Sequence, residues 1–380
     1  PLGRSIVAGY AELLAPLVGP EQDVPGIDRL DLSVAGRIER YSDVGTTANP
    51  KLGLSWKPVP ALTVRGTFGT SFRAPSFVDI RQGPGLNQII PLPLPDPASP
   101  TGASNVIALF GNRPDIGPEK ARTWTAGFDF RPASVPGLSI SATYFDISYR
   151  DRISNPAAEL FSFLSQRSRF QSLITDNPAA ATIAALYADP TFVNPYGIPA
   201  AAVTVLVDGR NANLSRTTER GLDFDIGYRG GEKGRSFELG VSGTWLFNLT
   251  QRITATSDSA DVVSTIGNPV DLRLRGRAAA TLGKASVAAY LNFINGYLNN
   301  GVTPAERVHS WTTLDLQLGY ELGGDRGPLR GVRLALSITN LFDRAPPYVN
   351  NRTPFSASGF DPENASPIGR MIAFQLVKSW

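Results

Sequence analysis

The sequence predicts an all-β fold, an antiparallel β-barrel whose strands cross a membrane, on three observations. First, apolar and polar residues alternate over stretches of about ten residues, the length that a tilted membrane strand needs. Second, the connectors between these stretches alternate between short turns and long polar or Pro-rich segments, as in membrane barrels. Third, no window approaches ~18 consecutive apolar residues, so no transmembrane helix is predicted. A soluble β-sandwich also alternates, but its strands are usually shorter.

Composition agrees with many strands joined by turns and excludes several classes of protein. The 380 residues include 37 Gly and 31 Pro, and only 18% are charged. A net charge of +3 without a Lys- or Arg-rich run gives no indication of nucleic-acid binding. Cysteine is absent, which excludes disulfides, zinc–thiolate sites and thiol nucleophiles. The chain begins without Met or a signal peptide, and we interpret it as a piece of a longer precursor.

The alternation is clear in 62-LTVRGTFGTSFR-73, where Val64 and Phe68 face one side and Arg65 and Arg73 face the other. Pro75 ends this strand, because proline cannot donate to a β ladder. The same pattern predicts about thirteen strands. They lie near 5–16, 29–42, 49–57, 62–73, 120–131, 138–150, 214–229, 236–250, 270–282, 285–297, 309–322, 331–342 and 367–380.

Long loops are predicted at about 74–119, 153–213, 252–269 and 345–366. In the first of them, 83-GPGLNQIIPLPLPDP-97 is interpreted as an exposed loop. In the second, 157–175 and 179–189 have apolar residues three and four apart, which predicts helices. That loop either packs a small core of its own, which we favour, or forms a lid that contacts a ligand.

Aromatic residues near the strand ends are predicted to form interfacial girdles at the two membrane surfaces. They are Trp56, Trp124, Tyr144, Trp245, Tyr297, Trp311 and Tyr348.

Six segments, in chain order, resemble those of the TonB-dependent outer-membrane receptor family. They are 67-TFGTSFRAPSFVDI-80, 116-IGPEKARTWTAGFDF-130, 143-TYFDISYRDRIS-154, 216-RTTERGLDFDIGY-228, 334-LALSITNLFDRAPP-347 and 367-PIGRMIAFQLVKSW-380. Asp223 stands where the family usually has Glu. The resemblance extends from about Ala8 to Trp380.

This resemblance implies a 22-stranded barrel around an N-terminal plug, of which the whole chain, 1–380, is the C-terminal portion, with about the last thirteen strands. It implies a bacterial outer-membrane location, with long loops outside the cell and short turns in the periplasm. The plug, the first strands and the segment that binds TonB would precede the chain. The implied partners are the TonB energy-coupling complex, the protein's own plug, the outer-membrane assembly machinery, the lipid bilayer with its lipopolysaccharide, and a small-molecule or oligosaccharide ligand.

Within this picture, seven charged residues are predicted to face the lumen or the plug: Arg65, Arg73, Asp223, Asp225, Arg273, Arg275 and Arg277. The arginines of 273–277 either line a path for anions or hold carboxylates of the plug, and we favour the plug. We expect Arg73 to be structural and the ligand contacts to lie in 76–118. The last strand resembles the family's assembly signal, carried by Phe374, Leu376 and Trp380.

The expected function is energy-coupled uptake of a scarce nutrient, such as a siderophore–iron complex, a vitamin or an oligosaccharide. A passive porin-like channel is the alternative. Catalysis is not expected: Asp223 and Asp225 could serve glycoside hydrolysis, but we interpret them as lumen charges. His309, the single histidine, has no convincing acid partner for a catalytic triad. With one His and no Cys, neither a metal site nor a cofactor is predicted.

Overall fold

The computed structural model describes residues 3–83, 85–254, 257–323, 330–350 and 358–379. Twenty strands lie within them: β1 (Ile6–Val18), β2 (Arg29–Tyr41), β3 (Gly45–Val59), β4 (Leu62–Arg73), β5 (Gln88–Pro95), β6 (Ala103–Phe110), β7 (Glu119–Phe130), β8 (Leu138–Ser154), β9 (Ile174–Asp176), β10 (Val205–Asp208), β11 (Ala212–Glu232), β12 (Arg235–Arg252), β13 (Ala260–Asp261), β14 (Leu272–Leu282), β15 (Ala285–Ile294), β16 (Tyr297–Asn299), β17 (Glu306–Val308), β18 (Trp311–Leu322), β19 (Val332–Thr339) and β20 (Met371–Lys378).

Helices are few and short in the described part of the chain. The α-helices are α1 (Phe77–Ile80), α2 (Arg167–Phe170) and α3 (Ala180–Tyr187). Single-turn or irregular 3₁₀ segments are Pro20–Gln22, Pro156–Ser162, Gln171–Leu173 and Ala200–Ala202. None of the helices in the described ranges has the length and apolar character to cross a bilayer.

One antiparallel sheet of fourteen strands dominates the described residues. Its strand order is β1-β2-β3-β4-β7-β8-β11-β12-β14-β15-β18-β19-β20, with β13 beside β12. All thirteen predicted strands are therefore confirmed, with bounds that differ by a few residues. Within the described residues β1 and β20 do not pair with each other, so the sheet is not closed.

The ladder between β11 and β12 continues beyond the predicted bounds, to the pair Glu232 and Arg235. The connection between the strands predicted at 214–229 and 236–250 therefore shortens to two residues, Lys233 and Gly234. Gly234 has φ +83°, a left-handed conformation that favours glycine in a tight hairpin.

The two faces of this sheet differ in polarity, as the alternation predicts. On the apolar face, Phe68 of β4 is directly opposite Trp124 of β7, with ring centroids 4.4 Å apart. On β20, Ile372, Phe374 and Leu376 are 60–67% exposed. Such a large exposed apolar face is unfavourable in water and is typical of the lipid-facing side of a membrane barrel.

The shortest turns lie at one end of the sheet and the longest segments at the other, as predicted, although β2 and β3 join through only three residues, 42–44, at the long-segment end. At the short-turn end, β3–β4 and β14–β15 each join through two residues, at 60–61 and 283–284. At the opposite end, 74–118 and 155–211 connect β4 to β7 and β8 to β11.

These two longest segments together form a second, smaller sheet with its own core, which we call the loop subdomain (74–118 and 155–211). Its strand order is β5-β6-β10-β9, and β10 runs parallel to β6. The favoured prediction, a loop that packs its own core, agrees with this arrangement. The core consists of Leu92, Leu94, Val106, Ala108, Leu160, Phe163, Leu164, Phe170, Leu173, Val205 and Val207.

The interpretation of 83–97 as an exposed loop was wrong, because Gln88–Pro95 forms β5. Pro91, Pro93 and Pro95 are two residues apart, so their backbone nitrogens, which carry no hydrogen, all lie on the side of β5 away from β6. Because β5 is the edge strand of the smaller sheet, proline is tolerated there. The prolines also leave no backbone donor for a further strand, which protects the edge.

The helix predicted over 157–175 was also wrong, whereas the helix at 179–189 is confirmed as α3. The first segment divides into the 3₁₀ segment Pro156–Ser162, the single turn α2, a second 3₁₀ turn and the strand β9. Its apolar residues pack on two neighbouring strands, β6 and β10, rather than along one helix face. Phe163 and Phe170 stack at 4.3 Å between ring centroids and are both fully buried.

Candidate functional site

Charged and hydroxyl side chains lie in rows across the polar face of the large sheet, because directly opposite residues on neighbouring strands share a face. One row contains Arg65, Gly127, Thr143, Asp223, Thr244 and Arg273. The next contains Asp129, Ser141, Asp225, Ser242, Arg275 and Asn292. A third contains Ser139, Gly227, Gly240, Arg277, Tyr290 and Asp315. The structure therefore brings six of the seven predicted residues together on one face.

Arg65 and Asp223 each have hydrogen-bond partners within the sheet. The guanidinium of Arg65 pairs with Asp129 and donates to Oγ1 of Thr143 at 2.8 Å, which links β4, β7 and β8. Asp223 accepts a hydrogen bond of 2.6 Å from Oγ1 of Thr244. Contact of these two residues with a plug stays a prediction.

Two arginines of β14 have acidic or amide partners. Arg277 pairs through Nε with Oε1 of Glu238 at 2.8 Å. Arg273 donates from Nη2 to Oδ1 of Asn364 at 2.8 Å and to the backbone oxygen of Glu363 at 3.1 Å. Arg273 thus ties the sheet to the connection between β19 and β20.

Arg275 and Asp225 lie in one row, and within the described residues neither has an oppositely charged group within 4.0 Å. Arg275 donates to Oδ1 of Asn292 at 3.1 Å and lies over the ring of Tyr290, 4.4 Å from its centroid. These two charges on the polar face therefore remain available for a partner from outside the described residues.

Arg73 belongs to a different cluster, at the long-loop end of β4. Its guanidinium pairs with Glu119, the first residue of β7, whose side chain is almost fully buried. Glu119 also accepts hydrogen bonds from Oη of Tyr149 at 2.6 Å and from the backbone N–H of Ile153 at 2.8 Å. A buried carboxylate is tolerated when paired and hydrogen-bonded in this way. Glu119 is not among the residues predicted from the sequence for a site, although it lies in one of the segments that carry the resemblance.

Asp96 and Arg167 connect the two halves of the loop subdomain. Burial by itself would raise the pKa of Asp96, but hydrogen bonds from Ser104, from the N–H of Ala98 and from Arg167 outweigh it. The pKa of Asp96 is therefore held below its ordinary value. Arg167 lies between Asp96, at 3.1 Å, and Asp176, at 2.9 Å.

The loop subdomain covers the region where ligand contacts were predicted, 76–118. Large apolar side chains stay exposed on it, including Val78, which is 79% exposed, Phe161, Val193 and Tyr196. Whether these residues contact a ligand stays a prediction.

Within the described residues, no group of three or more His, Asp or Glu side chains could hold a metal ion. His309 is exposed just before β18. Of the predicted assembly signal, Phe374 and Leu376 lie on the apolar face of β20, and Trp380 lies outside the described residues.

Part of the predicted girdle lies on the apolar face, and its position relative to the membrane stays a prediction. Trp124, Tyr144 and Trp245 are 37–50% exposed on the apolar face. The girdle prediction was wrong for Tyr297, which packs in a loop cluster with Val270, Val308 and Val349. It was also wrong for Trp311, which is paired with Ile294 in the row of Arg273, on the polar face.

Together, the long antiparallel sheet, its apolar outer face and its charged inner face define a membrane β-barrel protein. Residues 7–341 match the family described as TonB dependent receptor-like, beta-barrel. The chain belongs to this family, whose members are transport receptors of the outer membrane of Gram-negative bacteria rather than enzymes.

Three solved structures have the same fold. The siderophore receptor PirA from Acinetobacter baumannii superimposes with a TM-score of 0.62 at 14% identity, over 98% of this chain and 45% of that one. A mutant of the ferric enterobactin receptor from Pseudomonas aeruginosa gives a TM-score of 0.58 at 15% identity, with 97% and 44% covered. The FrpB iron transporter from Neisseria meningitidis gives 0.53 at 12% identity, with 98% and 44% covered. The chain thus spans less than half the length of these structures. No curated protein matches it.

Proposed function

We propose that this chain is the C-terminal part of the barrel of a TonB-dependent receptor that takes up a scarce nutrient by energy coupling. In this proposal a plug and further strands precede Pro1, and the TonB energy-coupling complex acts through that preceding region. The long loops lie outside the cell and bind the ligand, and the apolar face contacts lipid.

The observation that carries the proposal is the match of residues 7–341 to the family of TonB-dependent receptor barrels. The pair Asp225 and Arg275 on the polar face is compatible with a barrel that holds a plug. Each is a charged side chain without an opposite charge within 4.0 Å in the described residues. A plug inside the barrel supplies partners for such groups. A passive channel, the second candidate, would leave them to water, and nothing in their position excludes that environment.

An iron–siderophore complex is the ligand class to test first. Two of the structurally similar proteins are named as receptors for a siderophore or for ferric enterobactin, and a third as an iron transporter. At 12–15% identity, the ligand class in these names is the first hypothesis to test on this chain.

The decisive experiment expresses the full-length gene in an outer-membrane receptor-deficient strain and measures uptake of radiolabelled iron–siderophore complexes. Uptake that disappears when TonB is deleted supports the proposal. Uptake that persists without TonB supports the passive channel. A reading frame in which a signal peptide directly precedes Pro1 contradicts the proposed plug.

A further inference from the structure

A cluster of cations lies on the outward, lipid-facing side of the sheet, separate from the lumen charges. Lys120 and Arg122 of β7 share the face of Trp124, because they are two and four residues from it along the same strand. Arg150 of β8 is directly opposite Lys120, and Arg216 of β11 donates to Oγ of Ser148 on the same face at 3.3 Å. The sequence alone does not show this cluster, because its members come from three strands.

These cations are close to one another in an arrangement that costs free energy by itself. Lys120 and Arg150 are directly opposite in register, and so are Arg216 and Arg252. Like charges directly opposite each other on antiparallel strands are destabilising. Within the described residues, no carboxylate lies within 4.0 Å of the side-chain nitrogens of these four residues.

Acidic neighbours do not compensate for this charge. Asp146, on the same face, already pairs with Arg220 at 2.8 Å. Glu119, next to Lys120 in sequence, points to the other face and pairs with Arg73. The cluster therefore carries excess positive charge.

A groove of about 490 Å³ opens beside the cluster, between the first residues of β3 and strands β4, β7 and β8. Its lining includes Thr70, Phe72, Lys120, Arg122, Arg150 and Arg216, and no carboxylate. The hydroxyl oxygen of Thr70 is buried without a hydrogen-bond partner in the described residues. The groove thus offers four cationic groups and an unused hydroxyl.

An aromatic belt lies directly below the groove, toward the middle of the sheet. It comprises Phe68 and Trp124, in contact at 4.4 Å, and Tyr144, which stacks on Phe247 at 6.2 Å. Aromatic belts of this kind mark the membrane–water interface. At about 3.4 Å per residue, Arg122 and Lys120 lie roughly 7 and 14 Å above Trp124.

We propose that this groove binds the phosphate-bearing head group of a lipid in the outer leaflet of the membrane. The head group contacts Lys120, Arg122, Arg150 and Arg216, and the acyl chains lie along Phe68 and Trp124. β7 and β11 are two strand spacings apart, roughly 10 Å, so the cations span a head group with two phosphates. A lipid rather than a free anion is the occupant, because the groove is continuous with the apolar belt.

The test uses the full-length receptor in zwitterionic detergent and native mass spectrometry with diphosphoryl lipid A as the probe. We expect the triple variant Lys120→Gln, Arg122→Gln, Arg150→Gln to bind it at least about tenfold more weakly, since each cation near a charged lipid surface contributes to binding. The matched control is Arg235→Gln, an exposed arginine on the same face at the short-turn end, which should leave binding unchanged.

Two further arms identify the ligand chemistry. In the first arm, lipid A without phosphates should bind the unmodified receptor no better than it binds the triple variant. In the second arm, millimolar inorganic phosphate should not displace diphosphoryl lipid A from the unmodified receptor. Equal binding by the triple variant and the unmodified receptor overturns the site, and displacement by inorganic phosphate overturns the assignment to lipid.

The variant Arg122→Lys, Arg150→Lys keeps the charge and separates loss of binding from loss of folding. It should retain binding within about threefold of the unmodified receptor, because lysine serves phosphate as a point charge. Loss of binding in this variant, with an unchanged melting temperature, contradicts a site that depends on charge.

Discussion

Nη2 of Arg167 lies 3.1 Å from Oδ2 of Asp96, so one ion pair joins the two longest connections of the barrel. Asp96 belongs to the hairpin of β5 and β6, and Arg167 begins α2. The pair is one of several contacts that make the two connections a single subdomain.

Asp96 gives the loop subdomain a predictable response to acid. Because the pKa of Asp96 is lowered in the folded state, its contribution to stability is present above its unfolded pKa of about 3.9 and is lost as the pH falls through the folded value. In Asp96→Asn, hydrogen exchange of β6 and β10 amides should become faster at pH 7 and depend less on pH below about 4. An unchanged acid response in Asp96→Asn would show that other carboxylates dominate.

Phe163→Ala and Phe170→Ala test whether the loop subdomain has a core of its own. Each removes a fully buried ring, which costs about 3–5 kcal/mol in a packed core. We expect limited proteolysis to cut within 155–211 while the barrel remains resistant. Phe161→Ala is the matched control, since that ring is 68% exposed. Equal protease sensitivity of all three variants contradicts a separate core.

Arg73 and Glu119 should respond unequally to removal of their charges. Arg73→Gln leaves a buried carboxylate without its cation, which costs about 3–5 kcal/mol. Glu119→Gln leaves an arginine whose side chain is 56% exposed and can be hydrated, so the cost is about 1–3 kcal/mol. Thermal melting of the receptor in detergent should therefore rank Arg73→Gln as the less stable variant. The reverse order would mean that Arg73 is held by groups beyond Glu119.

Arg275 discriminates between plug contact and an anion path. If it holds plug carboxylates, Arg275→Glu should loosen the plug and raise ion conductance in planar bilayers. If it lines an anion path, the same variant should lower chloride conductance and leave the conductance of cations equal or higher. Gln317→Glu, a substitution on the same face of β18, serves as the control for adding a charge.

The apolar face of β20 should be necessary for insertion into the membrane. Phe374→Asp and Leu376→Asp place carboxylates on a lipid-facing strand, and each costs less than the roughly 2–4 kcal/mol of an Arg or Lys at the bilayer midplane. We expect less heat-modifiable receptor in outer-membrane fractions. Gln375→Asp changes the opposite face of the same strand and should have a smaller effect. Normal insertion of both apolar-face variants would remove β20 as an assembly signal.

The sequence was sufficient to predict the large sheet, because apolar and polar residues alternate over about ten residues in its strands. This alternation is a local signal, and it is regular because one face of each strand contacts the bilayer. The sequence was insufficient for β5, since Pro91 and Pro93 are compatible with a strand only at an edge, and edge position depends on the whole sheet. The parallel pairing of β10 with β6 joins segments about a hundred residues apart and has no local signature. Glu119 was missed for a similar reason: its importance lies in Tyr149 and Ile153, which reach it from the next strand.

The parallel pairing of β6 with β10 also sets an order of events in folding. β7 and β8 lie between Val106 and Val205 in the chain, so the pairing of these two residues closes a loop of about a hundred residues. Contacts of such large sequence separation form late, because loop closure must precede them. Until then the apolar residues of β6 and β10 are uncovered, so both segments need protection from aggregation during export.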